Sequence, residues 1–301
     1  MSENVVHVDG FFMRFGDVEV IKGLSFDVYA GETFGFLGSN GSGKTTTVRA
    51  LLGIYTPTAG VLNVYGAPFR PGVSGALGYL PEERGLYKKE SVIDTMSYFG
   101  RLKGMSAAAA RKFSLDYLER VELADKAGVK LEKLSGGQQQ KVQLGVTIMN
   151  DPKLLILDEP TKGFDPVNRR LLMGIIEERK AAGATIIMIT HQMDEVERLC
   201  DRILLLKDGV SRAYGTVVEV QEEFGGTVVR AQVDGTLPES SSYRIISQTN
   251  GNVEIDPLGA DTTDLLTSLV SSGVRVRSFE PTRRSLDSIF VEVYGEDAIQ
   301  D

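Results

Sequence analysis

The sequence predicts an α/β fold with a helical subdomain and a small α+β C-terminal domain. Over the first ~220 residues, short apolar segments alternate with helix-like stretches, as strands and crossover helices do in an α/β core. Four apolar segments are predicted strands: Thr33–Leu37, Lys153–Leu157, Thr185–Ile189 and Arg202–Leu206. At about 88–140 strand signals are rare, and SAAAARKFSLDYLERV repeats apolar residues at helical spacing, which predicts the helical subdomain.

The character of the sequence changes near Glu222, and we predict a domain boundary there, with one domain at 1–221 and a second at 222–301. The segments that follow indicate strand, strand pair, helix, strand and helix, which is enough for a small α+β domain. This second domain contains no His, no Cys and no motif that we can assign. We therefore expect it to be regulatory or to support a dimer.

Composition argues against several classes of protein. The longest apolar runs, such as Leu154–Leu157, are four residues long, far shorter than a membrane span. Nothing at the N-terminus looks like a cleaved signal. The single cysteine, Cys200, excludes an internal disulfide and agrees with a reducing cytoplasm. A net charge of -8 argues against nucleic acid as a partner.

The stretch GSNGSGKTT follows a predicted strand and precedes a helix-like segment. It fits the pattern G-x-x-x-x-G-K-[ST] in the strand–loop–helix context that this pattern requires. Its glycines let backbone N–H groups wrap phosphates, Lys44 reaches the β- and γ-phosphates, and Thr45 offers a hydroxyl to Mg²⁺. The stretch predicts a nucleoside triphosphate site formed by Gly38, Ser39, Asn40, Gly41, Ser42, Gly43, Lys44, Thr45 and Thr46.

Two other predicted strands end in residues suited to phosphate chemistry. KLLILDEPT puts Asp158 and Glu159 at the edge of the sheet where α/β proteins bind ligands. Asp158 is placed to hold Mg²⁺, and Glu159 can polarise the attacking water. TIIMITH ends at His191, whose neutral imidazole can donate to the γ-phosphate. We expect Lys44, Glu159 and His191 to be catalytic, and we interpret His7 as structural.

The stretch LSGGQQQK places two glycines and a hydroxyl where an apolar-periodic helix begins. A helix N-terminus with free backbone N–H groups and a serine is a site for an anion. The chain therefore carries a second candidate phosphate site, in addition to the loop around Lys44. Its residues are Ser135, Gly136, Gly137 and Gln138.

Taken in order, GSNGSGKT, LSGGQ, LLILDEP, GFDP and ITH resemble the ATP-binding subunits of ABC transporters, over roughly residues 4–220. LSGGQ is the most specific part, because other P-loop families lack it. The resemblance implies a P-loop ATPase with ATP and Mg²⁺ as cofactors. It also implies a head-to-tail dimer in which each LSGGQ caps the γ-phosphate held by the other subunit's Lys44. Since the chain has no span of its own, the remaining partner is a separate membrane permease.

The resemblance also implies roles for single residues. Phe15 in MRFGD stands where the family places an aromatic ring that stacks on adenine, and Asp165 in GFDP matches a loop that touches the opposite subunit. Glu82 in GYLPEERGLY stands where the family usually has Gln, and no Gln occurs between Ile54 and Leu134. A carboxylate can still ligate Mg²⁺, but it cannot donate a hydrogen bond unless it is protonated.

GYLPEERGLY and the C-terminal PTRRSLDSIFVEVYG together resemble the ATPases of ABC-2-type exporters of drugs, sodium or other small solutes. We expect a cytoplasmic ATPase that docks on the inner face of the cell membrane and drives export, with two equal subunits. Two alternatives stay open. The first is the ATPase of an importer, which shares this chemistry. The second is a soluble ABC ATPase acting on ribosomes or DNA, which the single cassette and the acidic balance disfavour.

Overall fold

A computed structural model describes residues 3–69, 77–83, 85–224 and 226–295. The chain divides into two compact units, Met1–Tyr214 and Gly215–Asp301. The change of character predicted near Glu222 falls inside a helix of the second unit, Val217–Glu223.

The larger unit is a layered α/β structure, so the predicted fold class is confirmed. Its strands in chain order are β1 (Asn4–Phe15), β2 (Val18–Tyr29), β3 (Thr33–Leu37), β4 (Ala59–Val64), β5 (Leu77–Leu80), β6 (Leu154–Asp158), β7 (Thr185–Ile189), β8 (Arg202–Lys207) and β9 (Val210–Thr216). Its helices are α1 (Lys44–Leu51), α2 (Val92–Leu102), α3 (Ala107–Arg120), α4 (Gly136–Ile148), α5 (Pro166–Ala181) and α6 (Met193–Leu199). The four predicted strands are β3, β6, β7 and β8, correct to within one residue at each end.

The central sheet has the strand order β5-β6-β7-β3-β8-β9, and neighbouring strands from β5 to β8 pair in parallel. Every residue of β3, β6 and β7 is buried, and for this reason the sequence of these strands is mostly apolar, with polar residues only at their ends. Parallel strands present their carboxyl ends at one edge of the sheet. The residues that follow β3, β6 and β7 are therefore brought together there.

A second sheet of the larger unit has the order β2-β1-β4, and its strands pair antiparallel. Val6, Val8 and Phe11 of β1 point into the core, where they share one hydrophobic cluster with Phe34 and Phe36 of β3. This sheet was not predicted from the sequence. Its strands alternate apolar residues with polar ones, so they lack the continuous apolar runs by which the central strands were recognised.

The predicted helical subdomain contains α2, α3 and α4, and α4 extends past the predicted limit to Ile148. Its helices pack closely at glycines. A Cβ on Gly100 of α2 would lie 2.7 Å from the Cβ of Ala110 of α3. A Cβ on Gly145 of α4 would lie 2.4 Å from the ring of Tyr117. The two glycines are thus required for the close approach of these helices.

The last turn of α4 is held by a lysine from another helix end. Lys103, which follows α2, donates to the carbonyls of Val146 and Thr147 at 2.7 Å each. The side chain of Asn150 donates to the carbonyl of Lys103 at 2.7 Å. No basic residue of α4 itself lies in that last turn. Lys103 therefore satisfies carbonyl groups that a helix C-terminus leaves unpaired.

The smaller unit has its own sheet and core. Its elements are α7 (Val217–Glu223), β10 (Thr227–Val233), β11 (Arg244–Thr249), β12 (Asn252–Asp256), α8 (Thr262–Ser271), β13 (Val276–Arg283) and α9 (Leu286–Tyr294). From β10 onward they follow the predicted order of strand, strand pair, helix, strand and helix. The sheet order is β11-β12-β10-β13, with antiparallel pairs. Its core includes Val229, Ile255 and Leu269.

Lys103 contributes to the stability of the fold, and we expect the size of this contribution to change with pH. Burial lowers the pKa of Lys103 to about 8 in the folded protein, whereas a lysine in an unfolded chain titrates at about 10.4. Between these values the unfolded chain holds more protons, so stability rises with pH in this window. From about pH 8 to about pH 10, the free energy of unfolding of the wild type relative to Lys103→Met should increase by about 1–2 kcal/mol.

Urea denaturation of both proteins at each pH measures this difference. Lys103→Arg is the matched control, because arginine stays charged throughout the window and should show no such increase. If the difference between wild type and Lys103→Met does not change with pH, Lys103 titrates as an ordinary exposed lysine.

Candidate functional site

The loop between β3 and α1 has a backbone that only glycine accommodates well. Gly43 caps α1 with φ 110, and Gly41 has φ 77, both in the left-handed region. A Cβ on Gly38 would lie 2.5 Å from the Leu206 carbonyl oxygen, and one on Gly43 would lie 2.4 Å from Ile21 Cδ1. The glycines therefore permit a tight loop that ends at a helix N-terminus, the arrangement that binds phosphate.

Lys44 folds back over this loop. Its Nζ donates to the Gly38 carbonyl at 2.6 Å and to the Ser39 carbonyl at 3.0 Å. Burial lowers the pKa of Lys44, and the carboxylates of Glu159 and Asp158 oppose that change. In the described structure the buried Ser42 hydroxyl oxygen has no hydrogen-bond partner. The loop thus offers a cation and an unpaired hydroxyl to a polyanion, which fits the phosphates of a nucleotide.

The end of β6 supplies two buried carboxylates. Asp158 is the last residue of the strand, and Glu159 turns away from it with φ 50, fixed by its N–H donating to the Ile189 carbonyl at 2.8 Å. Burial, with Glu82 and Glu159 nearby, raises the pKa of Asp158 to about 6. A cation nearby would stabilise the ionised form of this buried carboxylate, because it compensates the negative charge.

Glu159 and His191 form a pair. His191 lies just past β7, and its Nδ1 is 2.8 Å from Glu159 Oε1. The hydrogen bond with Glu159 raises the pKa of His191. Glu159 Oε2 is buried and has no hydrogen-bond partner within the described residues. One carboxylate oxygen is therefore oriented by His191, and the other is free to accept a hydrogen bond from a water or ligand.

Ser135 is the N-cap of α4, as the sequence indicated. Its hydroxyl accepts from the Gln138 N–H at 3.3 Å, and its own N–H donates to Gln138 Oε1 at 2.9 Å, which forms a capping box. No hydrogen bond or ion pair of the described residues joins this cap to the loop around Lys44. The helix instead reaches the site through Gln140, whose Nε2 donates to the Glu159 carbonyl at 3.4 Å.

Phe15 is 44% exposed, so it is not an ordinary core phenylalanine. Its ring makes an edge contact with Tyr55, with 5.2 Å between centroids. Arg49 donates to the Tyr55 hydroxyl at 3.1 Å. Sequence reasoning missed Tyr55, because a single tyrosine in a loop carries no pattern.

Asp165 caps the next helix. Its carboxylate accepts from the N–H groups of Val167 and Asn168, at 3.0 and 3.1 Å, and so begins α5. The hydrogen bond from the Asn168 side chain lowers the pKa of Asp165. Within this chain the observed role of Asp165 is that of a helix cap.

Glu82 lies just past β5 and pairs with Lys162, with 2.9 Å between Lys162 Nζ and Glu82 Oε1. Glu82, Glu159 and Lys162 share the wall of a cavity of about 880 Å³. Lys162 was also missed by sequence reasoning. It has no recognisable motif, and its partner lies eighty residues away in the chain.

The oxygen ligands at this edge of the central sheet suit Mg²⁺ rather than a metal whose ligands all come from the protein. No group of three or more His, Cys, Asp or Glu in the described residues could hold a metal ion. Mg²⁺ is commonly bound through one or two protein oxygens, with phosphate oxygens and water completing the shell. Asp158, the last residue of β6, and Thr45, in the first turn of α1, each carry an oxygen of the kind that Mg²⁺ prefers.

Family models match two parts of the chain. Residues 21–162 match the ABC transporter model, and residues 215–294 match the model described as ATP-binding protein DrrA1-3-like, C-terminal domain.

Similar proteins extend over most of the chain. It is 37% identical over 291 residues to the uncharacterized ABC transporter ATP-binding protein YhaQ of Bacillus subtilis, covering 96% of this chain and 98% of that protein. It is 31% identical over 297 residues to the linearmycin resistance ATP-binding protein LnrL of Bacillus subtilis, covering 93% and 95%. It is 41% identical over 220 residues to the Nod factor export ATP-binding protein I of Burkholderia lata, covering 72% of each.

A solved structure described as the ATP binding subunit of an ABC transporter covers 73% of this chain and 93% of that chain, with a TM-score of 0.69 and 28% identity. The fold and the phosphate loop thus define a P-loop ATPase. The similarity to YhaQ over nearly the whole chain shows that it belongs to the ATP-binding subunits of ABC transporters, which bind and hydrolyse ATP. In the described part of the chain, no helix combines the length and apolar character needed to cross a membrane.

Proposed function

We propose that this ATPase powers export of a small solute through a separate membrane permease, from the inner face of the cell membrane. Two relatives support export over import, since one is named for linearmycin resistance and another for Nod factor export. The smaller unit has a family match of its own, since residues 215–294 match the C-terminal domain of DrrA1-3-like ATP-binding proteins. For this unit we propose a regulatory or dimer-supporting role.

The observation that carries the proposed chemistry is the pair of Glu159 and His191 at the same sheet edge as Lys44. Catalysis of phosphoryl transfer is mostly positioning and neutralisation of charge. Lys44 now donates to carbonyls of its own loop, and we propose that it exchanges them for phosphate oxygens when ATP binds. The loop amides after Gly38 would hold the remaining phosphate oxygens.

Mg²⁺, when bound, would neutralise phosphate charge, and its protein ligands would be Thr45, Asp158 and Glu82. For Asp158, binding a cation would offset the cost of burying its carboxylate. Glu159 remains available as the group that orients water, because its Oε1 is held by His191 while its Oε2 is buried and unpaired. His191 thereby fixes the rotamer of Glu159 through Nδ1. In its protonated form, which the raised pKa of His191 favours, it can also donate from Nε2 to the γ-phosphate.

The remaining roles concern adenine and the dimer. Phe15, with Tyr55 against its edge, offers an exposed aromatic surface on which adenine would stack. We propose that two copies of the chain meet head to tail, with Ser135 and its neighbours facing the γ-phosphate bound by the other copy. The N–H groups of Gly136 and Gly137 at the start of α4 suit that task, since the Ser135 hydroxyl accepts from Gln138 and not from them. Asp165 would contact the opposite subunit in the same dimer.

If Glu159 orients the water, Glu159→Gln should bind ATP normally but hydrolyse it at least ~100-fold more slowly, since a positioned base is lost. The variant should also accumulate as an ATP-bound dimer, which size-exclusion chromatography with ATP would detect. Glu177→Gln is the control, because that carboxylate is on α5, where it pairs with Arg198. If Glu159→Gln hydrolysed ATP at the wild-type rate, a residue other than Glu159 would have to orient the water.

Export through a permease is tested in cells. A tagged chain should sediment with membranes and copurify with a membrane-spanning polypeptide. Deleting the chain should raise the cellular content of at least one compound in a panel of lipophilic antibiotics. The wild-type chain should restore the low content, and Glu159→Gln should not. A lower content in the deletion strain would indicate import, and sedimentation with ribosomes would indicate a soluble ATPase.

A dimer with composite sites makes a specific prediction for mixed subunits. Lys44→Ala removes the phosphate cation, and Ser135→Arg places a bulky side chain where the hydroxyl should face phosphate. Each homodimer should trap no nucleotide, because both of its sites are damaged. The mixed dimer has one site with both defects and one intact site, so it should trap one nucleotide per dimer. Mixed dimers that form but trap none would contradict the between-chain arrangement.

A further inference from the structure

Glu82 belongs electrostatically to the ATP site. It lies two residues past β5, and β5 pairs in parallel with β6 so that Leu80 is opposite Leu157. Burial is the largest cause of the raised pKa of Asp158, and the charge of Glu82 is the next largest. The same charge opposes the lowering of the pKa of Lys44 by burial. Its side chain is therefore close enough to act on the residues that would hold phosphate and metal.

The carboxylate of Glu82 is held by Lys162. This lysine follows Glu159 within one turn, because its N–H donates to the Glu159 carbonyl at 3.3 Å. The Glu82–Lys162 pair is about half exposed, at 49% for Lys162 and 48% for Glu82, so it adds little to the stability of the fold. The pair places the ammonium group of Lys162 near the carboxylates of Glu82, Glu159 and Asp158. The hydrogen bond with Glu82 raises the pKa of Lys162, and Glu159 and Asp158 add to that effect.

The backbone around Glu82 is held separately, by α4. Gln143 Nε2 donates to the Pro81 carbonyl at 3.3 Å and to the Glu83 carbonyl at 3.2 Å, on either side of Glu82. Gln143 is only 4% exposed, and its Oε1 has no hydrogen-bond partner in the described structure. A buried amide that spans two carbonyls of one loop restrains the main chain of that loop.

We propose that Lys162 and Gln143 are positioning residues for Glu82. Gln143 fixes the main chain and Lys162 holds Glu82 Oε1, and Oε2 is then the oxygen that would ligate Mg²⁺. This inference rests on the proposed function only in assigning Glu82 to Mg²⁺. Its tests measure equilibrium binding and the rate of proteolysis, so their failure would leave the outcome for Glu159→Gln unaffected.

The role of Lys162 is tested with a double-mutant cycle. The proteins are wild type, Lys162→Met, Glu82→Gln and the double variant, and the readout is ATP binding by calorimetry at a series of Mg²⁺ concentrations. Lys162→Met should raise the Mg²⁺ concentration for half-maximal binding by ~5-fold to ~10-fold, a coupling of ordinary size for groups in contact. With Glu82→Gln already present, the further change should be less than ~2-fold, because no carboxylate remains to be placed.

Lys162→Arg keeps the charge and should restore the wild-type Mg²⁺ requirement. An equal effect of Lys162→Met in both backgrounds would mean that Lys162 acts on the nucleotide directly, and this would overturn the proposal. No effect in either background would overturn it as well. Circular dichroism of each variant confirms that the fold is retained.

The role of Gln143 is tested with Gln143→Leu, which keeps the volume but removes both donors. Cleavage after Glu82 by a glutamate-specific protease should accelerate by at least ~10-fold, since the loop opens more often. The Mg²⁺ requirement should rise as it does for Lys162→Met. Thr147→Val is the matched control, because Thr147 is one turn along α4 and its hydroxyl has acceptors outside the loop of Glu82. These are the Gln143 carbonyl at 2.9 Å and the Tyr79 carbonyl of β5 at 3.3 Å.

Thr147→Val should change neither readout at Glu82. Unchanged cleavage after Glu82 and an unchanged Mg²⁺ requirement in a folded Gln143→Leu protein would refute the proposed role of Gln143. Gln143→Met, with a flexible side chain, provides the same test if leucine hinders folding.

Discussion

The site depends on one constraint, the adjacency of β3, β6 and β7 in a parallel sheet. Each strand is fully buried, and each ends at the same edge. The segments that follow these three strands carry residues that are far apart in the sequence. Lys44 follows β3, Glu159 follows β6 and His191 follows β7. In this arrangement Glu159 Oε1 lies 2.8 Å from His191 Nδ1, and the charge of Glu159 also acts on Lys44.

Electrostatic balance is the second condition on this edge. Asp158, Glu159 and Glu82 gather there, and burial with these neighbours raises the pKa of Asp158 to about 6. Such a cluster would repel the phosphates of ATP if it stood alone. Lys44 and Lys162 offset the negative charge from within the protein, and a bound cation would offset more of it. The arrangement is thus poised to accept a metal and a polyanion together.

The sequence was informative where local chemistry dictates structure. Thr33–Leu37 and Thr185–Ile189 were predicted to the residue, because a strand buried on both faces is mostly apolar. The start of α4 at Ser135 was equally readable, since the capping box is a local signal. Contacts at long separation were not readable. Lys162 and Gln143 meet the loop of Glu82 only because β5, β6 and α4 pack together, and no local pattern encodes that packing.

Helix α4 connects parts of the site that no single strand joins. Ser135 caps its first turn, Gln140 reaches the Glu159 carbonyl, and Gln143 reaches the loop of Glu82. Its last turn is held by Lys103. A helix is stiff along its axis, so a displacement imposed at Ser135 by a ligand would be felt at all of these contacts together. For the proposed dimer, occupation of the cap of α4 by a partner's nucleotide would then bear on Glu159 and Glu82 of the same chain. Such coupling through α4 would link the two nucleotide sites of the proposed dimer.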